Sequence, residues 1–247
     1  YNDIYLFFLI MIFLKFFFYF FKKFINYINS TNRFFFIINL HDKKQKLYSV
    51  KKSKNKDYEK IQINTTHIKL KKNLSYVNEN DIRKISLLLN KNIKKKIFGL
   101  CHGVRDGKEI LYFEKYLRKS DVYGTDIYPN LENKKVFNFN FNNYNKDWNN
   151  KFDFIYSNCI DHSNNPKKTI SNWIKSIKKD GYLIFDHSSS HGLRRKTITN
   201  PCAIETELFP FLLIDWFNNK LSIENFIKPS GLRGKSSRNK IIFCKKI

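Results

Sequence analysis

The sequence predicts a doubly wound α/β domain with a mostly parallel sheet, closed by an antiparallel hairpin and preceded by an apolar helix. Three observations lead there. Strand-like apolar runs alternate with helix-like stretches from residue 97 to residue 185, as in βα repeats. A glycine-bearing turn joins the first of these strands to its helix. The last two strand-like runs, 223–227 and 240–244, have only a Gly- and Ser-bearing loop between them, so they should pair antiparallel.

Residues 4–21 are apolar apart from Lys15. At 1.5 Å per residue the stretch would reach about 27 Å, close to the thickness of a bilayer core. Lys22 and Lys23 follow it, so the positive-inside rule puts the remainder of the chain in the cytoplasm. A single-pass membrane anchor over residues 1–26 is the expectation. No small-residue cleavage site marks it as a signal peptide, and its all-round apolarity argues against an interfacial helix. The chain begins with Tyr1 rather than Met, so residues are expected to precede it.

Residues 27–79 alternate short apolar runs such as 34–40 with lysine-rich stretches such as 43–60, and are expected to form a basic connector with short strands. Asn80 can cap a helix bearing Ile82, Ile85, Leu88 and Leu89 on one face. The catalytic domain is expected from residue 80 to residue 247. Its first strand, turn, helix and second strand lie in residues 97–129. Strands near 136–139 and 152–156 follow, then a helix opened by Pro166 and closed by Gly181, a strand at 182–185, and an apolar helix around 205–217.

The net charge of +25 invites a nucleic-acid or anionic-membrane partner. The lysines, however, are spread along the chain with many Asn, Ile, Phe and Tyr and only 8 Gly and 5 Pro, as AT-rich codon usage would produce. No nucleic-acid-binding motif is present, so nucleic acid is not the expected partner. Cys101, Cys159, Cys202 and Cys244 form no CxxC pair, consistent with reduced thiols in the cytosol.

The chemistry concentrates after the first strand. A glycine turn there lets backbone N–H groups approach a ligand, and an acid about 20 residues on can accept from both ribose hydroxyls. Gly103, Gly107 and Asp126 hold those positions. The GxGxxG pattern fails at Arg105 and Lys108, and the P-loop pattern fails because three residues precede Gly107-Lys108 and Glu109 follows.

With FGLCHGVRDGKE, YGTDI and FDFIYSNCIDHSNNPKKTISNWIKSIKKDGYLIFDHS in hand, residues 81–247 resemble the class I S-adenosylmethionine-dependent methyltransferases, whose terminal hairpin nicotinamide-binding domains lack. The resemblance implies a Rossmann-like, seven-stranded sheet and S-adenosyl-L-methionine as cofactor. It places the loop of Cys101, His102, Gly103, Arg105 and Gly107 around the methionine portion, Asp126 on the ribose, and Ile127 and Asn140 beside the adenine, with Asn158 in the loop after the fourth strand. Two departures stand out. Cys101 holds a place often acidic in the family, and Arg105 replaces the usual middle glycine.

Removing a proton from a hydroxyl acceptor needs a base beyond the carboxyl end of the sheet. His162 and His187 are the candidates, with Asp161 and Asp186 to orient them or to touch substrate. The pair His187 and His191, with Asp186 beside it, also has spacing seen in metal sites, but no further compact ligand accompanies it and no metal is expected. Together these features predict methyl transfer to an oxygen of a small molecule, sugar or lipid-linked saccharide at the cytoplasmic membrane face. The alternatives are a catalytically degenerate, Rossmann-like basic binding protein, motivated by Cys101 and Asn140, and a nicotinamide-dependent Rossmann enzyme, against which the hairpin counts.

Overall fold

The computed structural model describes residues 48–50, 55–72, 76–128, 133–192, 197, 199–230 and 239–247, all within one compact unit, Lys46–Ile247. The expected membrane helix at 4–21 and the apolar run at 34–40 lie outside the described residues. Among those described, no helix is long and apolar enough to cross a membrane.

Short apolar runs form the central strands β2 (Ile97–His102), β3 (Ser120–Asp126) and β5 (Phe152–Ser157), and β2 and β5 are buried almost throughout, as a parallel sheet covered on both faces requires. With β4 (Val136–Asn138), β6 (Ile177–His187), β8 (Leu221–Ile227) and β9 (Lys240–Lys246) they make a seven-stranded sheet of order β4-β3-β2-β5-β6-β9-β8. Strands β2 to β6 are mutually parallel, while β9 runs antiparallel to both β6 and β8. The predicted terminal hairpin is therefore present. The chain winds outward from β2 to β4 and then returns to β5 on the other side of β2. That reversal opens a crevice at the carboxyl ends of β2 and β5, where ligands bind in open α/β sheets.

Alternation along the strands sends side chains to two cores. On one face, Tyr182, Ile184, Ile241 and Phe243 meet Ile82, Ile85 and Leu89 of α2 (Glu79–Asn92) and Ile110 and Phe113 of α3 (Lys108–Tyr116). On the other, Leu183, Phe185, Ile242 and Cys244 meet Ile170, Trp173 and Ile174 of α4 (Pro166–Ser176) and Leu212, Leu213 and Phe217 of α5 (Phe209–Phe217). Burying one such large apolar side chain stabilises the fold by about 1.5–3 kcal/mol.

Several boundaries differ from those the sequence predicts. The cap of α2 is Asn78, whose side chain accepts from the Asp81 N–H at 3.3 Å, not Asn80; Glu79 and Asp81 favour the first turn, so the helix starts before its apolar face does. Helix α4 ends at Ser176 rather than at Gly181. Ile177 already pairs with Phe152, and residues 178–181 loop out, with Asp180 at φ 61, before pairing resumes at Tyr182 with Phe154.

The largest correction falls on the expected connector. Strand β1 (Tyr48–Val50) pairs antiparallel with β7 (Cys202–Ile204), and a 17-residue helix, α1 (Asn55–Lys71), occupies a stretch in which short strands were expected. Tyr58 is buried against the main body, and its hydroxyl donates to the His162 carbonyl. The face of α1 turned to the body is polar, so apolar periodicity gives no sign of it.

Candidate functional site

Strand β2 ends at His102 and the chain turns at Gly103, which has φ 77. A Cβ at that position would lie 2.4 Å from Cys159 Sγ, so only glycine fits. The Gly103 N–H donates to the Thr125 carbonyl at 2.8 Å, tying the turn to β3. Arg105 keeps a positive φ of 47, a conformation glycine takes more freely, and Gly107 caps α3 at φ 76. At the end of β3, Asp126 Oδ2 accepts from the Arg105 N–H at 2.9 Å and Oδ1 accepts from the Tyr128 N–H at 2.8 Å. Burial raises the Asp126 pKa above its ordinary value, while these two N–H groups oppose the rise.

A cavity of about 430 Å³ opens over these strand ends. Gly103, Arg105, Asp126 and Ile127 form one part of its wall, Asn140, Phe141 and Asn142 another, and Asn158, Cys159, Asp161 and His162 a third. Asp186, Ser188, Ser190 and Asn200 continue it, and Tyr76 with Tyr58, Gln62, Thr66 and Lys69 from one face of α1 completes it. Asn140 Nδ2 donates to Glu59 Oε1 at 2.8 Å and its Oδ1 accepts from the Asn142 N–H at 3.0 Å. Asn158 Nδ2 donates to Glu109 Oε1 at 3.4 Å. Glu109 itself is buried behind the wall, and its carboxyl is pushed up to about 8 by burial.

Three of the histidines named above, His162, His187 and His102, differ in setting. His162 sits on the short 3₁₀ turn Ile160–His162, and its Nδ1 lies 2.7 Å from the Thr199 carbonyl. A carbonyl only accepts, so Nδ1 carries the proton and Nε2 keeps its lone pair. That Nε2 is 3.9 Å from Asp161 Oδ2. The Thr199 carbonyl also accepts from Gln62 Nε2, so α1 and Thr199 together hold the ring. His187, by contrast, is 1% exposed, with Nδ1 2.9 Å from Thr206 Oγ1 and its ring against Phe209. It is not among the cavity-lining residues. His102 is buried too, stacked on Trp173 at 4.8 Å between centroids and 2.8 Å from Thr125 Oγ1, and burial lowers its pKa to about 3.

Of the residues the sequence selects, the structure thus gathers Gly103, Arg105, Asp126, Ile127, Asn140, Asn158, Asp161, His162 and Asp186 around one cavity. Cys101, His102, Gly107 and His187 lie off its wall. Cys101 is in the apolar core and its thiol is pushed well above the ordinary value by burial, so it offers the cavity no charge. The side chain of His191 lies outside the described residues. Missing from the sequence-derived set are Tyr58, Gln62, Thr66 and Lys69, whose three- and four-residue spacing fits one helix face but whose polarity hides it.

No protein-family model matches the sequence, and no curated protein does. Solved structures do share the fold. The Burkholderia thailandensis 1,6-didemethyltoxoflavin-N1-methyltransferase, solved with S-adenosylhomocysteine, superposes with a TM-score of 0.58 at 13% identity, over 79% of this chain and 91% of that one. The plantazolicin methyltransferase BpumL, also solved with S-adenosylhomocysteine, gives 0.50 at 12%, over 78% and 88%. The CurJ carbon methyltransferase gives 0.51 at 12%, over 67% of this chain and 53% of that one. The described residues have the fold of the class I S-adenosylmethionine-dependent methyltransferases.

Proposed function

We propose that the chain transfers a methyl group from S-adenosylmethionine to a hydroxyl oxygen of a small molecule, a sugar or a lipid-linked saccharide at the cytoplasmic face of a membrane. The observation that carries this proposal is the convergence of the Gly103 turn, the Asp126 carboxylate and the Asp161-His162 pair on one cavity at the switch point of the sheet.

The cavity suits the cofactor. Gly103 leaves bare backbone where a Cβ would collide, Asp126 presents a carboxylate at a strand end, and Ile127 adds an apolar surface beside it. Arg105 preserves the positive φ of the glycine it replaces, so the loop keeps its course. Two of the proteins that share the fold are complexes with S-adenosylhomocysteine. Gly103, Asp126, Ile127, Asn140 and Asn158 would hold the cofactor, which supplies an electrophilic methyl group on a sulfonium.

What the chain itself must do is hold the acceptor in line and take up a proton. The Thr199 carbonyl fixes His162 with Nε2 basic, and Asp161 Oδ2, 3.9 Å away, stabilises the imidazolium that results when Nε2 takes the hydroxyl proton. The acceptor atom is not set by the fold, since one neighbour is an N1-methyltransferase and another a carbon methyltransferase. A hydroxyl is favoured here because a placed base beside an acid, among Asp186, Ser188, Ser190 and Asn200, fits a polyhydroxylated ligand that must lose a proton. The apolar stretch at 4–21 with Lys22 and Lys23 after it supports a membrane-face location.

Incubating the full chain, purified in detergent, with tritiated S-adenosylmethionine and a panel of saccharides, lipid-linked saccharides and membrane lipid extracts tests the proposal. Label in a base-stable ether product is expected. Cofactor binding without transfer to any member of the panel would favour the degenerate binding protein instead.

A further inference from the structure

Helix α1 has a second face. Tyr58, Gln62, Thr66 and Lys69 line the cavity, and the residues two positions further on, Lys60, Asn64, Ile68 and Lys71, are all exposed. Two residues turn a helix by about 200°, so this second set points away from the cavity. The Lys72 N–H donates to the Ile68 carbonyl at 3.2 Å, which carries the helical course one residue on and sets Lys72 beside Ile68. Ile68 is 55% exposed. The neighbouring His67 ring lies 5.7 Å from that of Tyr128, a residue 36% exposed just after β3. An isoleucine and a tyrosine thus stand in water among three lysines.

The fold itself does not call for this pattern. Contacts from Tyr58 and Gln62 tie α1 to the body through its cavity face. Among the described residues, Lys60, Lys71 and Lys72 enter no ion pair, and Glu59, the acid beside Lys60, accepts from Asn140 on the cavity wall. The negative end of the helix accounts for lysines at 71 and 72, but not for Lys60 early in the helix or for Ile68. An anionic bilayer suits all of them. Ammonium groups meet lipid phosphates while aliphatic and tyrosine side chains reach the headgroup boundary. A nucleic acid would use the cations and give Ile68 no partner. Each lysine near an anionic leaflet favours the docked state about fivefold, so three together give roughly a hundredfold. That is too little to hold a free chain on a membrane, but enough to orient one that a tether already keeps at high effective concentration there.

We propose that the outer face of α1, Lys60, Ile68, Lys71 and Lys72 with Tyr128 beside it, docks on an anionic lipid bilayer, so that α1 lies between the bilayer and the cavity. The docking face rests on the membrane location proposed above and is independent of methyl transfer.

All four cysteines are buried, so a cysteine placed at an exposed position of the full chain takes a polarity-sensitive fluorophore selectively. Ile68→Cys reports the docking face. Ile247→Cys is the reference, at a residue 62% exposed after β9, which runs antiparallel to β6 and so ends away from the cavity. Each labelled chain is reconstituted in vesicles of phosphatidylcholine, alone or mixed with phosphatidylserine, that carry a lipid spin-labelled near its headgroup. A blue shift and quenching at position 68 are expected with phosphatidylserine. Both should be lost in phosphatidylcholine alone, at high salt and in the triple variant Lys60→Gln, Lys71→Gln, Lys72→Gln, while the label at 247 stays in water throughout. A label at 68 quenched no more than that at 247 in anionic vesicles overturns the docking face. So does a blue shift without quenching, as a second copy of the chain covering the face would give. Alkaline carbonate extraction from the phosphatidylcholine vesicles reads the tether separately. A chain that is extracted yet shows salt-sensitive quenching at 68 on phosphatidylserine keeps the docking face and removes the tether; one that is extracted and unquenched loses both.

Discussion

The chain writes Asp-His twice, at 161–162 and at 186–187, and only the first copy brings both side chains to the cavity. Asp161 and His162 lie on a 3₁₀ turn, where successive side chains are about 120° apart and both can reach one cavity. Asp186 and His187 end strand β6, where successive side chains point to opposite faces. Asp186 accordingly reaches the cavity and accepts from the Tyr156 hydroxyl at 3.1 Å, while His187 turns the other way, with Phe185, onto Phe209. A dipeptide carries the groups for acid–base chemistry; the backbone period beneath it decides whether both groups face the same space.

The widest gap between the copies is expected in catalysis. With an acceptor found by the screen, His162→Gln should lower kcat by roughly 10²–10⁴-fold and leave S-adenosylhomocysteine affinity unchanged, whereas His187→Gln should keep kcat within about twofold. Equal losses in the two variants would break the comparison.

A carboxylate behind the wall extends it. Glu109, 5% exposed, has a folded pKa of about 8 against an ordinary 4.5 because burial penalises its charge. Folded chains then hold a proton that unfolded chains have lost, so stability is fully present below about 4.5, falls by about 1.4 kcal/mol per pH unit as pH rises toward 8, and levels off above. Glu109→Gln should remove that slope and be more stable than wild type at pH 8 by urea denaturation, but not at pH 4.5. A parallel pH profile in the two proteins would show Glu109 ionised in the fold.

His187 carries a structural role in the same account. His187→Ala should cost about 1–3 kcal/mol of stability, since it leaves Thr206 Oγ1 without its ring partner and opens space beside Phe209. The smallest expected effect is that of Tyr58→Phe, which deletes the hydroxyl that donates to the His162 carbonyl. About 1 kcal/mol, read as a roughly fivefold fall in kcat with little change in melting temperature, is the predicted loss. No change in kcat would mean that α1 covers His162 without positioning it.

The same contrast explains what could be read from the sequence. The glycine turn, Asp126 and the terminal hairpin were legible because each combines a special backbone need with apolar runs of fixed period: Gly103 at φ 77, β3 ending on its acid, and β8 and β9 separated in sequence by a Gly- and Ser-bearing stretch. Helix α1 was not legible. Its cavity face is Tyr58, Gln62, Thr66 and Lys69, and a polar helix face next to lysine-rich sequence has the composition of a solvated linker. The boundary at Gly181 was misjudged for a related reason, because a glycine after a helical pattern looks the same whether it ends a helix or closes a turn within strand pairing. His187 was selected on chemistry alone, when the strand period already set its side chain apart from that of Asp186.

The central claim is that Asp126 and the Gly103 turn make this cavity a cofactor site, and the most direct measurement is calorimetric titration of S-adenosylhomocysteine into the full chain and into Asp126→Ala, each checked for a cooperative melt. Two lost hydrogen bonds to a carboxylate predict at least about 10²-fold weaker binding in the variant than in wild type. A folded wild type that does not bind, or an Asp126→Ala chain that binds equally well, would contradict the account.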